Sequence, residues 1–230
     1  MSELYTKYAD QYASAIEDNI YNARYDRPSL LSLLSGQKFE NCLDMGCGSG
    51  AYFKALSEQC QNIVGLDKSA EFVKMAIDKN PDMRIYQHDL KDPLVEADGV
   101  FDLVISPLTV HYIEDLNALF KEVGRILKKG GNFVFSTHHP IVDLKSSVSN
   151  DYFEREYLTQ NWNTVKDQKT EVSFYRRPLS ETLNALFDAG FVIEGFSEGV
   201  VSADIKQVSE VTYKKLSTKP IFMFVKAKKC

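Results

Sequence analysis

Between residues 39 and 137 the apolar positions fall in runs of strand length, separated by stretches with helical spacing. Residues 42–45 form the first run, which stops in a glycine cluster. Residues 51–60 then read as a helix and 62–66 as a second strand. A helix over 69–79 follows, with Ser69 as its N-cap and Glu71 in the first turn, where negative charge meets the positive helix end. Pro81 closes it, and residues 83–87 and 101–106 read as the third and fourth strands. Residues 113–129 predict a long amphipathic helix ending in Lys128-Lys129-Gly130-Gly131, positive charge and then glycine. Residues 132–137 are the fifth strand. This alternation predicts an α/β fold, a parallel sheet covered by helices on both faces.

The flanking segments have other patterns. Residues 1–36 read as helical, with Tyr5, Tyr8 and Tyr12 on one face and a second aromatic cluster at Tyr21 and Tyr25. Pro28 opens a short helix over 29–34 and Gly36 stops it. Residues 138–178 are polar and aromatic, too few for a core of their own, and read as an inserted cap with one strand at 171–175. A helix over 179–189, capped by Gly190, precedes a strand over 191–196. A strongly apolar strand over 220–227 comes last. The segment 199–219 holds at most a short helix, so the last two strands can pair antiparallel. The chain therefore reads as a single domain over 1–230, with a helical lid at 1–36 and a cap at 138–178.

Composition narrows the classes. In 230 residues, 44% are hydrophobic and 26% charged, which excludes bulk disorder. The 27 Lys and Arg against 32 Asp and Glu leave a net charge of −5, which argues against a nucleic-acid partner. No apolar run approaches the roughly 20 residues that a bilayer requires, so membrane insertion is not expected. The first 18 residues are polar and lack the apolar stretch of a secretory signal. Four cysteines without CxxC spacing read as reduced thiols in a cytoplasmic protein, a monomer or a homodimer.

The candidate chemistry begins at LDMGCGSG, residues 43–50. Gly46, Gly48 and Gly50 allow a tight strand-to-helix turn and the close approach of a ligand to backbone. Asp67 ends the second strand, 21 residues after Gly46, where a carboxylate can accept from both hydroxyls of a ribose. Asp44 lies two residues before the first glycine. It would repel a pyrophosphate and attract a cationic amine, or else cap the loop by accepting from backbone N–H groups. A positively charged adenosyl ligand suits this pair of acids better than a dinucleotide does. The spacing GxGxG rather than GxGxxG points the same way.

With these residues the chain resembles the class I S-adenosylmethionine-dependent methyltransferases, in particular the group related to quinone-biosynthesis methyltransferases. The resemblance runs from about residue 39 to the C-terminus. It rests on LDMGCGSG, IVGLDKS (63–69), YQHDL (86–90), FDLVISPLTVHYIED (101–115), LKKGGNFVFST (127–137) and RRPLSETLNALFDAGF (176–191). It implies a Rossmann-like, doubly wound seven-stranded sheet of order 3-2-1-4-5-7-6 with strand 7 antiparallel. It also implies S-adenosyl-L-methionine as cofactor and a small-molecule methyl acceptor. Gly46, Cys47 and Gly48 would line the methionine portion, with Gly50 in the same loop and Asp44 near the amino group. Asp67 would hold the ribose, Lys68 and Ser69 would border the adenine, and Asp89 with Leu90 would cap its edge. Ser106 and Pro107 would face the sulfonium. Tyr12 in the lid and Arg27, with Arg24 as its alternative, would serve the donor's cationic and carboxylate ends.

Methyl transfer from a sulfonium needs a base only when the acceptor must lose a proton. His111, His138 and His139 stand at strand ends and are the candidates, whereas His88 reads as structural. Tyr25, Tyr152, Trp162, Tyr175 and Arg176 are candidate walls of a pocket for a partly apolar, anionic acceptor. The HHxxxD spacing of His138, His139 and Asp143 matches no metal-ligand pattern, so no metal is expected. Two rival functions stay open on the residues alone: a nicotinamide-dependent oxidoreductase and a non-catalytic adenosyl-ligand-binding protein.

Overall fold

A computed structural model describes residues 2–166 and 168–230. Seven strands form the main sheet: β1 (Phe39–Met45), β2 (Cys60–Asp67), β3 (Arg84–Gln87), β4 (Phe101–Ser106), β5 (Leu127–His138), β8 (Phe191–Ser197) and β9 (Phe222–Lys229). Two further strands, β6 (Glu156–Trp162) and β7 (Thr170–Arg176), pair only with each other. The main sheet has the order β3-β2-β1-β4-β5-β9-β8. Its first five strands are parallel, and β9 runs antiparallel to both β5 and β8. Counting only the strands of this sheet, the order is 3-2-1-4-5-7-6 with the seventh antiparallel, as the resemblance implies.

Residue parity divides the core. Cys42, Leu103, Ile105 and Val134 point to one face and join Tyr25, Leu30, Phe53 and Leu216 there. Leu43, Val104, Phe133 and Phe135 point to the other and meet Phe120, Val123 and Leu186. The first face is covered by α2 (Arg27–Ser32), α3 (Phe53–Leu56), α4 (Ala70–Lys79), α8 (Asp204–Val208) and α9 (Glu210–Thr218). The second is covered by α5 (Leu116–Ile126) and α7 (Leu179–Asp188). Burial of both faces is why the central strands are apolar throughout.

Several boundaries differ from the sequence reading. The helix placed at 51–60 shrinks to α3, because β2 starts at Cys60, paired with Phe39. The helix placed at 113–129 is shorter at both ends: Asp115 caps it by accepting from the Ala118 N–H, and it stops at Ile126. Leu127 is extended, buried and paired with Phe101, so Lys128-Lys129-Gly130-Gly131 belongs to β5 rather than to a helix end. Gly130, at φ +77°, carries the irregularity before the ladder resumes at Asn132. Ser69 caps α4 as expected, accepting from the Phe72 N–H at 3.1 Å. Two helices, α8 and α9, occupy the segment expected to hold at most one.

The N-terminal segment and the β6–β7 hairpin form a second, smaller core. A single 3-10 turn at Glu3–Tyr5 leads to α1 (Ala9–Asp18), then to a π-helical stretch at Ile20–Asp26. Such widened turns are common at functional sites. Leu4 is fully buried against Leu158, Val172 and Phe174 of the hairpin. Tyr5 meets Tyr12 edge-on at 5.4 Å, and its hydroxyl pairs with that of Tyr112 at 2.5 Å. The hairpin closes behind Arg176, which is buried and reaches Glu156 and three backbone carbonyls. β6 was missed in sequence because only Leu158 of its seven residues is a buried apolar group.

Leu4 fixes the N-terminal segment on the hairpin, so Leu4→Ala is expected to cost about 2–5 kcal/mol. It should also change the fluorescence of Trp162, the one tryptophan of the chain, which lies against Phe174. Urea denaturation and emission spectra check this. An unchanged midpoint with unchanged emission would show that the segment is not docked as described.

Candidate active site

The carboxyl ends of the parallel strands open into one cavity of about 1290 Å³. The N-terminal segment, α6 (Pro140–Leu144) and the hairpin wall its outer side. The glycine turn after β1 forms its floor. The Gly46 and Cys47 N–H groups both donate to the Leu66 carbonyl, at 2.8 and 2.9 Å, which ties the turn to β2. Gly46 has φ +77°, and a Cβ there would meet the Thr109 hydroxyl at 2.2 Å. Gly48, at φ +55°, has open space where a Cβ would stand and lines the cavity. Only residues without a side chain leave this floor bare for a ligand.

Three carboxylates converge here. Asp67 accepts from the Gly48 N–H at 2.9 Å and from the Ser69 N–H at 2.8 Å. Burial raises its pKa against these donors. Asp44 is fully buried on the same face as Cys42, and neither of its oxygens has a hydrogen-bond partner among the described residues. Burial first, and then the Asp67 charge, hold its pKa well above the ordinary carboxylate range. It is thus not a loop cap. Asp26 was not foreseen. One of its oxygens accepts from the Tyr52 hydroxyl at 2.5 Å; the other is buried without a partner. Burial pushes its pKa up to about 6, against the pull of the Ser136 and Tyr52 hydroxyls and the Arg27 charge. Among the described residues no ion pair forms to Asp26, Asp44 or Asp67.

Most of the expected donor-side residues reach this space. Tyr12, Arg27, Asp44, Gly46, Cys47, Gly48, Asp67, Lys68, Asp89, Leu90 and Pro107 all line it. Lys68 and Asp89 pair with each other at 2.6 Å. The Arg27 guanidinium lies over the Tyr52 ring at 5.5 Å, and its Nε has no partner. Arg24 instead pairs with Asp18 and Asp204 outside the cavity. Three residues do not line it and hold the walls. Gly50 (φ +84°) packs on the Phe53 ring, Ser69 caps α4, and Ser106 donates to the Met45 carbonyl at 3.2 Å.

The outer half of the cavity is aromatic. His138 lies between the His111 and Phe222 rings, stacked at 4.1 and 5.9 Å, with Trp162 at 5.7 Å. Its Nδ1 is 3.1 Å from the Asp143 carboxylate. His111 is buried with Nδ1 3.3 Å from the Thr137 hydroxyl and Nε2 unpartnered. Burial, then the neighbouring His138 and Arg177, push its pKa well below the usual histidine value, so it is neutral. His139 turns away. Its ring accepts from the Ile141 N–H and meets Glu198 at 3.2 Å, and it does not line the cavity. His138 and His139 therefore point apart, and the HHxxxD residues do not converge.

The acceptor-side expectations fare unevenly. Trp162 lines the cavity. Tyr25 does not: it is buried on Phe222, and its hydroxyl donates to the Glu198 carbonyl. The Tyr152 hydroxyl accepts from the Leu179 N–H. Tyr175 faces outward to Glu114, and Arg176 is consumed by the hairpin. An aromatic or basic residue type carries no direction, so these four packing residues were indistinguishable from lining ones. The lining residues Thr170, whose hydroxyl is buried without a partner, and Gln160 were missed for the same reason.

Comparison with known proteins agrees with this geometry. Residues 43–135 match the family model described as a methyltransferase domain. An S-adenosylmethionine-dependent methyltransferase from Mesorhizobium loti superposes with a TM-score of 0.68 at 27% identity, over 88% of this chain and 96% of that one. The chain is 30% identical over 125 residues to a malonyl-[acyl-carrier protein] O-methyltransferase of Salmonella typhimurium. That match covers 54% of this chain and 49% of the relative, so the chain spans about half that enzyme's length. It is 27% identical to a demethylmenaquinone methyltransferase of Staphylococcus epidermidis, over 76% of this chain and 79% of that one. The fold is that of S-adenosylmethionine-dependent methyltransferases, and this likeness supports S-adenosylmethionine as the cofactor. The unpaired Asp44 and the bare glycine floor fit a ligand that carries an ammonium group.

Asp26 makes a stability prediction. Its pKa is about 6 in the folded chain against an ordinary 3.8. The native state thus holds this proton longer than the unfolded one, and stability falls as pH rises from about 4 to 6. Two units correspond to about 3 kcal/mol. Asp26→Asn keeps an acceptor for Tyr52 and removes the charge. It is expected to be more stable than the parent by about 2–3 kcal/mol at pH 7, with little difference at pH 4. Urea denaturation at both pH values checks this, and a less stable variant at pH 7 would contradict it.

Proposed function

We propose that the protein transfers a methyl group from S-adenosylmethionine to a small-molecule acceptor. The observation that carries this reading is the pair of buried carboxylates, Asp26 and Asp44, which form no ion pair among the described residues and share a cavity with Asp67 and the glycine floor. Burying an unpaired charge costs several kcal/mol, and a cationic ligand offsets that cost. Gly46, Cys47 and Gly48 would border the methionine portion, with Asp44 toward its ammonium, Arg27 toward its carboxylate and the Tyr12 ring toward its cationic end. Asp67 would take the ribose hydroxyls, and Lys68, Asp89 and Leu90 the adenine. The bound donor supplies an electrophilic methyl group. The chain's own contribution is alignment and exclusion of water. Residues 1–36 would act as the lid and 138–178 as the cap, both closed over the cavity by the Tyr5–Tyr112 and Leu4 contacts.

The acceptor would lie in the outer half, between Phe222, Trp162, Thr170 and His138. His138, whose Nδ1 lies 3.1 Å from the Asp143 carboxylate, would take a proton from an acceptor O–H or N–H. His111 would accept a hydrogen bond through Nε2. A small acceptor is supported by the likeness to the demethylmenaquinone methyltransferase.

Calorimetric titration tests the donor. S-adenosylmethionine is expected to bind and NADH not to bind. Asp67→Ala removes two charge-assisted bonds of roughly 1.5–3 kcal/mol each and should weaken the donor more than tenfold. NADH binding without S-adenosylmethionine binding would select the oxidoreductase instead.

A further inference from the structure

The charges of the cavity can be matched to those of the donor. S-adenosylmethionine carries two cationic centres, an ammonium and a sulfonium, and one carboxylate. Three cavity carboxylates form no ion pair among the described residues; Asp67 is already held by two backbone N–H groups, which leaves Asp44 and Asp26, and the Arg27 guanidinium has an Nε without a partner among those residues. Lys68 and Asp89 already neutralise each other. Asp44 lies below the glycine turn, on the methionine side. Asp26 is held by Tyr52, two residues after Gly50, with the Ser136 hydroxyl near it but not bonded to it. Ser136 in turn accepts from the Leu108 N–H at 3.0 Å, beside Pro107 and two residues before His138. That places Asp26 where the donor half of the cavity meets the acceptor half. The Tyr52 hydroxyl holds one of its oxygens and leaves the other bare.

Resting on the donor reading above, we propose that Asp26 is a sulfonium-recognising residue, which makes the site prefer the charged donor over the neutral thioether product. During transfer the acceptor's lone pair forms the new bond to the methyl carbon. The carbon–sulfur bond breaks with its electrons going to sulfur, and the positive charge on sulfur disappears. Asp44 keeps its ammonium partner through this change, whereas Asp26 loses its cation. The resulting buried, unpaired carboxylate disfavours the product and promotes its release. Tyr52 is the positioning residue that aims Asp26.

Isothermal titration at pH 7.5 with S-adenosylmethionine and S-adenosylhomocysteine tests this without any acceptor. Asp26→Asn should weaken S-adenosylmethionine at least tenfold and change S-adenosylhomocysteine less than threefold. Asp44→Asn should weaken both by similar factors. Tyr52→Phe should shift the ratio in the same direction as Asp26→Asn, by a smaller factor. The melting temperature of each variant separates loss of fold from loss of contact. An equal loss of both ligands in Asp26→Asn, or no loss of either, would overturn the role of Asp26 and leave the donor reading intact. Failure of the parent protein to bind either ligand would overturn the donor reading itself.

Discussion

Burying Asp44 and Asp26 costs free energy that the empty protein does not recover. Each side chain is held in the interior by the fold, Asp44 as the penultimate residue of β1 and Asp26 at the end of a π-helical turn. Both carry oxygens without partners among the described residues, and burial raises both pKa values. A core built for stability alone would fill these positions with apolar groups or pair them. The rest of the molecule is arranged around this constraint. The sheet brings β1 and β2 side by side so that the glycine turn hangs from Leu66. The N-terminal segment packs beside this cavity through aromatic contacts among Tyr5, Tyr12 and Phe72.

Much of this was legible in the residues. The alternation of apolar runs and amphipathic stretches placed all the parallel strands, because buried central strands are continuous in hydrophobicity. Asp44, Asp67 and the glycines were legible through their spacing. Where local pattern and tertiary context disagreed, context won. Lys128 to Gly131 has every mark of a helix end, yet Leu127 is drawn out of the helix to pair with Phe101 and fill the core. β6 is polar because its outer face meets water, so it shows no apolar signal until β7 is placed against it.

Most residues expected to hold the donor line the cavity, whereas most of those expected to hold the acceptor do not. Backbone-driven features such as a turn or a strand end leave fixed spacings. A pocket wall depends on which way a side chain points. Asp26 precedes Arg27-Pro28 and stands where a helix N-cap belongs, yet its side chain makes no capping bond and turns inward to Tyr52. His138 and His139 are adjacent on a strand end, and the pleat sends only one of them into the cavity. Tyr152 and Tyr175 differ from Trp162 only in direction.

The most direct test is a crystal grown with S-adenosylmethionine. The account predicts the donor inside the described cavity, with its ammonium at Asp44, its ribose hydroxyls at Asp67 and its sulfonium facing the bare oxygen of Asp26. A donor bound elsewhere, or seated in the cavity with both Asp44 and Asp26 still without a cationic neighbour, would contradict it.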